Sequence, residues 1–318
     1  MAKDSRIVRL DRIDGEFRKE ALSMIADARR RIARIVHAAA RDGGFKIGGR
    51  NRDKLYSLVD GEYAKLEIGL RNWSKNLVSR GVEGGLAQAQ ADLASAMGED
   101  APSGLTRFSR QYAEDVFGII SPGNESQLAG TLTKKMTDAD LSNLRKAQRD
   151  VFRQAALEGW SAKRKERELK DRWDLLAGGM DAAKFTDAGG KVWDTDQYVN
   201  MLTRTTSARV WRDGYAEGLA KNGDDLMRIV NADGEACAIC QAWDGIIVSI
   251  SGADGDFPSY QGAIDAGWGH PNCRCLCERI DPEYDAEETA RQRAKQTPDD
   301  LSDFEAMQAY NDATVPEG

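Results

Sequence analysis

All five cysteines of the chain, and one of its two histidines, fall between Cys237 and Cys277. The stretch reads Cys237-Ala-Ile-Cys240, then 29 residues, then His270-Pro-Asn-Cys273-Arg-Cys275-Leu-Cys277. Two pairs, each with two residues between its members, have the spacing with which two tight turns grip a tetrahedral zinc ion. No other feature of the sequence constrains the fold as strongly, because such ligands must converge within about 2.0 to 2.3 Å of one point. An odd number of cysteines in so short a stretch also suits metal binding in a reducing compartment better than a disulfide framework. The expected ligand set is Cys237, Cys240, His270 and Cys273. A set with Cys275 in place of His270, and a cluster holding no metal, are the alternatives.

The flanking residues carry further expectations. Pro271 restricts His270 to extended backbone. Arg274 can offset a site that three thiolates would leave at net −1. In a strand Cys273, Cys275 and Cys277 would share one side, and Cys277 reads as a small core residue. Four protein ligands close a zinc site and leave no position for an activated water, so a structural zinc is expected and catalysis is not.

Other catalytic patterns are thin. Zinc deaminases place His-x-Glu before Pro-Cys-x-x-Cys, whereas here Cys-x-x-Cys comes first and no Glu stands two after His270. No His-Glu-x-x-His is present. His37 sits beside Ala38 to Ala40 in a helical stretch, so little material remains for a Ser-His-Asp or Cys-His enzyme. Gly43 to Gly49 lacks the spacing and Lys-Ser/Thr ending of a phosphate loop and reads as a hinge.

Helical periodicity dominates the N-terminal half. Leu10, Ile13, Phe17, Ala21, Met24, Ala28, Ile32 and Ile35 recur with an eleven-residue period, which predicts a nearly straight helix over residues 5–40. Leu55, Val59, Tyr63, Leu66, Leu70, Trp73 and Leu77 predict a second, from about Arg52 to Ser79, broken by Gly81, Gly84 and Gly85 before Leu86 to Met97 resumes. A short helix is expected within 101–124. Thr137 is expected to cap another, and Lys163 to Trp173 continues as a charged, solvent-facing segment. The arginines of the 29–34 stretch read as a solvated helix face.

After Gly179 the pattern changes. Phe185 to Trp193 reads as a hairpin, and Asp194-Thr-Asp-Gln197 as a capping box for a helix ending near Asn222-Gly223. Strands at Leu226–Val230 and Gly245–Ile250 bracket the first cysteine pair, which predicts a zinc-knuckle turn between them. A short helix follows through Tyr260 and Ile264. With 31% charged residues and a mean hydropathy of −0.57, long solvated helices over limited core are expected. The formal charge of −7 is a tail property: residues 281–318 hold 11 Asp+Glu against 3 Lys+Arg, leaving +1 for the rest. No apolar run suggests a membrane span, and no signal pattern is evident.

The expected fold is mainly α: an extended helical region over 1–180, a small α+β zinc-knuckle-like domain over 181–282, and an acidic, partly disordered tail over 283–318. Several motifs in order carry a family likeness: Gly-Gly-Lys-Val-Trp193, Tyr198 with Arg204-Thr205-Thr206, Ala236-Cys-Ala-Ile-Cys240, Trp243-Asp-Gly245, Ser249-Ile-Ser-Gly252, Phe257-Pro-Ser259 and His270-Pro-Asn-Cys-Arg-Cys275. Together they resemble the phage minor capsid protein 2 family and the related Mu F-like head morphogenesis proteins. The resemblance implies a structural, portal-associated protein of a tailed-phage head, found in the virion and assembled in the host cytoplasm. Its implied partners are portal or major capsid protein, with no membrane. Some relatives carry a toxin or ADP-ribosylating domain after the cysteines, for which the 41 residues beyond Cys277 are too few. The N-terminal helices, on the strength of the eleven-residue stripe, are expected to face the portal or capsid. A competing reading is a zinc-knuckle protein contacting packaged DNA through Arg274, Arg279 and the arginines from Arg29 to Arg34. A third is a zinc hydrolase or nuclease with His270 as base.

Overall fold

The structure is a computed structural model and describes residues 4–41, 50–97, 124–177, 185–186, 192–232, 237–280 and 285–292. The helix expected within 101–124, the hinge at 43–49 and the tail beyond 292 lie outside them.

Among the described residues, four long helices and one shorter one precede a small sheet in the sequence. Helix α1 spans Ser5–Arg41, α2 Arg50–Met97, α3 Asn124–Glu158, α4 Ala162–Ala177 and α5 Thr195–Lys221. The eleven-residue period holds along α1, with one adjustment. Ile7, Leu10, Phe17, Ala21, Ile25, Ala28, Ile32 and Val36 are buried, while Met24 and Ile35 are only half-buried. Adjacent residues lie about 100° apart around a helix, so 24 and 25, or 35 and 36, flank the same stripe and packing chooses between them. The stripe is covered within the chain itself. It is core, not an apolar face open to a partner.

Glycines do not break α2, which runs unbroken to Met97. A Cβ on Gly85 would lie 2.0 Å from the Trp211 carbonyl oxygen, and one on Gly84 2.2 Å from the Trp211 ring. From the other side, a Cβ on Gly214 would lie 2.8 Å from the Val82 carbonyl oxygen. Glycine costs about 1 kcal/mol in a helix interior relative to alanine. Here it permits α2 and α5 to approach backbone to backbone. Thr137 likewise starts no helix: α3 passes through it, and its hydroxyl donates to the Thr133 carbonyl within the same helix.

The chain divides into two units, one of Met1–Gly15, Asn76–Pro122 and Met201–Gly318, the other of Glu16–Lys75 and Gly123–Asn200. In the second unit, three helices meet at a polar knot. The Arg29 guanidinium of α1 donates to Asp140 of α3 at 3.2 Å, and the Tyr63 hydroxyl of α2 donates to the other oxygen of the same carboxylate. The Trp73 indole donates to the Phe17 carbonyl at 2.8 Å, so even the largest apolar side chain there has its polar atom satisfied. Helix α4 returns along α3 after Gly159, whose φ of +65° suits glycine, and Arg172 reaches back to Gln154. Strands β1 (Phe185–Thr186) and β2 (Val192–Trp193) pair antiparallel, Phe185 opposite Trp193.

The first unit holds the sheet. Helix α5 closes at Gly223, where the Gly223 and Asp224 amides donate to Ala220 and Leu219. Strand β3 (Leu226–Val230) follows and is the central strand of an antiparallel sheet, between β4 (Ile247–Ser249) and β5 (Leu276–Arg279). Its Met227 and Ile229 point inward while Leu226, Arg228 and Val230 are only half-buried, the alternation of a sheet with one packed face. Short helices α6 (Ala238–Trp243) and α7 (Tyr260–Asp265) lie between the strands, and α8 (Ala286–Gln292) follows them. The architecture is therefore mainly helical with one small α+β region, as the sequence predicts.

Candidate metal centre

The first cysteine pair lies between β3 and β4, as expected of a knuckle, and opens the short helix α6. Cys237 occupies the N-cap of α6 in extended backbone, and its sulfur accepts from the Cys240 amide at 3.5 Å. That places Cys240 on the first helical turn, with both sulfurs at the end where unpaired amides stabilise negative charge.

The second pair comes from a turn. Gly269 and Asn272 both have positive φ, and the Cys273 amide donates to the His270 carbonyl at 2.9 Å. Helix α5 pins this turn, since the Asn272 amide donates to the Thr205 hydroxyl at 3.0 Å. The His270 Nδ1 lies 2.8 Å from the Pro271 carbonyl oxygen, which can only accept, so Nδ1 carries the proton and Nε2 turns to the sulfurs.

Four sulfurs and one imidazole converge. His270 Nε2 lies 2.9 Å from Cys237 Sγ and 3.4 Å from Cys240 Sγ, and Cys240 Sγ lies 3.5 Å from Cys273 Sγ. Two overlapping triads share Cys240: Cys237, Cys240 and His270 form one, and Cys240, Cys273 and Cys275 the other. Either could hold a metal ion. Zinc bonds of about 2.3 Å to sulfur and 2.0–2.1 Å to nitrogen make tetrahedral edges of roughly 3.5 to 3.8 Å. The Cys240 edge to Cys273, at 3.5 Å, meets the lower end of that range, and the edge to His270, at 3.4 Å, falls just short of it. The Cys237 to His270 contact is shorter, a hydrogen bond in which one proton is shared.

Proton sharing dominates the electrostatics. The Cys240 bond, opposed by burial and helped by His270, lowers the Cys237 thiol to about 4. Bonds from Cys240 and then Cys275, together with the Arg212 charge, hold Cys273 far below the usual thiol range against its burial. Cys240 is driven up, since it gives its proton to Cys237 and Cys273. Burial opposes a charge on His270, but the Cys237 bond and the Cys273 charge outweigh it and raise the imidazole. A divalent cation would take the place of those shared protons, because its ligands must be deprotonated. Cys277 stands apart. Burial pushes its thiol up to about 12, and it faces Ile229 across the sheet as a core residue.

Arg212 is the residue that sequence reasoning missed. Fully buried on α5, it sets Nη1 3.8 Å from Cys273 Sγ and donates to the Cys275 carbonyl at 3.0 Å, with its guanidinium over the Trp268 ring at 4.8 Å. Its helical period is that of a core position beside Trp211 and Tyr215, which was the one available signal. The charge-balancing role expected of Arg274 belongs to Arg212. Arg274 instead pairs with Asp14 at 2.7 Å and with Asp11, both on α1.

The family defined for phage minor capsid protein 2 matches residues 129–308, more than half of the chain. The chain belongs to the phage minor capsid protein 2 family. No curated protein and no solved structure matches it. The matched span reaches further toward the N-terminus than the motifs from Phe185 to Cys275, beginning within α3. It contains every member of the Cys/His cluster and Arg212, so the candidate metal centre of this minor capsid protein lies wholly within the part that defines its family. Membership makes it a structural protein of the phage head, associated with other virion components. Among the described residues no helix is long and apolar enough to cross a membrane.

Proposed function

We propose that the chain is a portal-associated minor component of the phage head whose Cys/His cluster is a structural zinc staple held by Cys237, Cys240, His270 and Cys273. The observation that carries the zinc is the buried Arg212 guanidinium beside Cys273. A permanent cation removed from water needs negative charge nearby, and thiolates bound to a metal supply it without exposed carboxylates. A thiolate-rich set with one imidazole suits zinc among divalent metals. The cysteines of the set are 2–8% exposed, and four ligands leave no position for a reacting water, which supports a staple in place of an enzyme. The metal would cross-link α6 to the His270–Cys273 turn that leads into β5, holding a sheet too small to be stable alone.

Residues 1–180 would meet portal or major capsid protein, residues 181–282 would carry the staple, and residues 283–318 would form the acidic tail. The DNA-contacting zinc knuckle gains little support. Arg274 and Arg279 are both paired with carboxylates, as are Arg29, Arg30 and Arg31.

Metal analysis of the purified full-length chain tests the staple, with one zinc per chain as the expected result. Cross-linking of intact heads followed by mass spectrometry tests the location. Recovery of cross-links to portal is expected, and a chain missing from heads at every assembly stage would overturn it.

A further inference from the structure

We propose that a basic cleft between the last turns of α1 and the first turns of α4 binds the phosphate backbone of duplex DNA. The cleft measures about 810 Å³ and lies within the unit of Glu16–Lys75 and Gly123–Asn200. Two helices supply its charge. From α1 come Arg34 and Arg41, seven residues apart; from α4 come Lys163, Arg167 and Lys170, at positions i, i+4 and i+7. Each series follows one face of its helix. Arg164 joins them, held over the Trp160 ring at 4.3 Å and 3.2 Å from Glu158. Glu166 is the one carboxylate in the lining.

Helix α4 is solvent-facing, as its charges predict, and those charges are also sorted by face. The cleft takes the cations of the Lys-Arg-Lys-Glu-Arg-Glu segment preferentially, while Glu168 and Asp171 do not line it. The N-terminus of α4, sixteen residues long, adds its dipole to the same end.

The chemistry of the lining selects among anions. Cations at i and i+7 stand about 10 Å apart along a helix, the length over which one DNA strand presents about three phosphates. A single small anion could not engage both ends. The lining holds no Phe, Tyr or Trp, and His37 is its one aromatic side chain, too little for a platform of successive stacked bases, which disfavours a single strand. Its apolar members, Ala38 and Ala40, form no pocket for the anchor residue of an acidic peptide. Guanidinium forks and ammonium groups without base-reading amides suit a sequence-independent contact with duplex backbone. This inference goes beyond the zinc staple and does not rest on it, since the cleft shares no residue with the Cys/His cluster.

Fluorescence anisotropy of the full chain with a duplex of about 20 base pairs tests it. Neutralising four to five phosphates predicts that affinity weakens about 100-fold or more between about 50 and about 200 mM salt, with no preference for sequence. Combining Arg34→Gln, Arg41→Gln, Lys163→Gln and Arg167→Gln, all at exposed positions, should cost at least about tenfold at low salt and flatten that slope. Circular dichroism should stay unchanged in this variant. Lys65→Gln with Arg71→Gln, exposed cations outside the cleft, should bind as the parent does. Equal binding by the fourfold variant, or no binding by the parent at low salt, would overturn the proposal. So would tighter binding of poly-glutamate than of duplex, which would make the cleft a dock for acidic protein.

Discussion

Arg212 holds its guanidinium 3.8 Å from the Cys273 sulfur while donating to the Cys275 carbonyl at 3.0 Å, so one buried cation reaches both a sulfur of the Cys/His cluster and the backbone just beyond it. Arg212→Met keeps much of the volume over Trp268 but removes that charge. Outer partners of metal ligands are worth about 10 to 100-fold in metal affinity. A loss of that size is expected in a competition titration with a chromophoric chelator, and an unchanged affinity would assign Arg212 to packing alone.

Removing the metal should act locally. Cys237→Ser or Cys240→Ser is expected to abolish stoichiometric zinc and to melt the sheet and its short helices, because site formation and folding are one process. The long helices should keep most of their far-ultraviolet signal. Cys277→Ala should retain full metal, since that thiol packs in the sheet, and cost about 1 to 2 kcal/mol in chemical denaturation. Acidification should release the metal as protons compete for the sulfurs. Cys275→Ser with full metal retained would keep His270 in the ligand set; its loss would put Cys275 there.

Arg274 and Arg279 separate a buried pair from a partly solvated one. Arg274 is buried with Asp14, so Arg274→Ala strands a carboxylate in the interior and should cost about 3 to 5 kcal/mol. Arg279→Ala, whose Asp224 pair is partly exposed, should cost about 1 kcal/mol. Burial raises the Asp14 carboxyl above its ordinary 3.8, and the Arg274 charge works against that rise. Losing Arg274 therefore raises it further. Between 3.8 and the raised folded value the native state binds the proton better than the unfolded chain, so stability falls as pH rises through that window. The penalty of Arg274→Ala should accordingly shrink on acidification from neutral pH, and a pH-independent penalty in parallel denaturation curves would contradict the buried-carboxylate account.

Two glycines of α2 should respond in opposite directions. Gly85→Ala would push a methyl to 2.0 Å from the Trp211 carbonyl oxygen, and backbone cannot rotate away as a side chain can, so a loss of about 2 to 3 kcal/mol or more is expected. Gly61 has nothing within 4 Å of its would-be Cβ, and Gly61→Ala should stabilise the chain by about 0.4 to 1 kcal/mol. Thermal melting of the two variants checks both.

Much of the fold was legible because local rules carried it. The stripes of α1 and α2, the hairpin at Phe185 to Trp193, the stop at Gly223 and the strands around the cysteines each depend on period or turn chemistry within a dozen residues. Gly81, Gly84 and Gly85 look like breakers until α5 lies against them, and Thr137 looks like a cap until α3 is seen to run through it. For the glycines a contact remote in sequence decides between two local options; for Thr137 the continuing helix does, its hydroxyl bonded to the Thr133 carbonyl.

The chain's own sequence determined that Cys237, Cys240, Cys273 and His270 would gather, since two such pairs at that spacing have few other uses, and their order within the neighbouring motifs identified the family. Tertiary structure alone decided which charges serve the cluster and which serve the frame. Arg212 and Arg274 are both arginines near the cysteines, and nothing local distinguishes them. What separates them is that a buried guanidinium must find its counter-charge within a few ångströms, and α5 brings one to Cys273 while α1 brings Asp11 and Asp14 to the other.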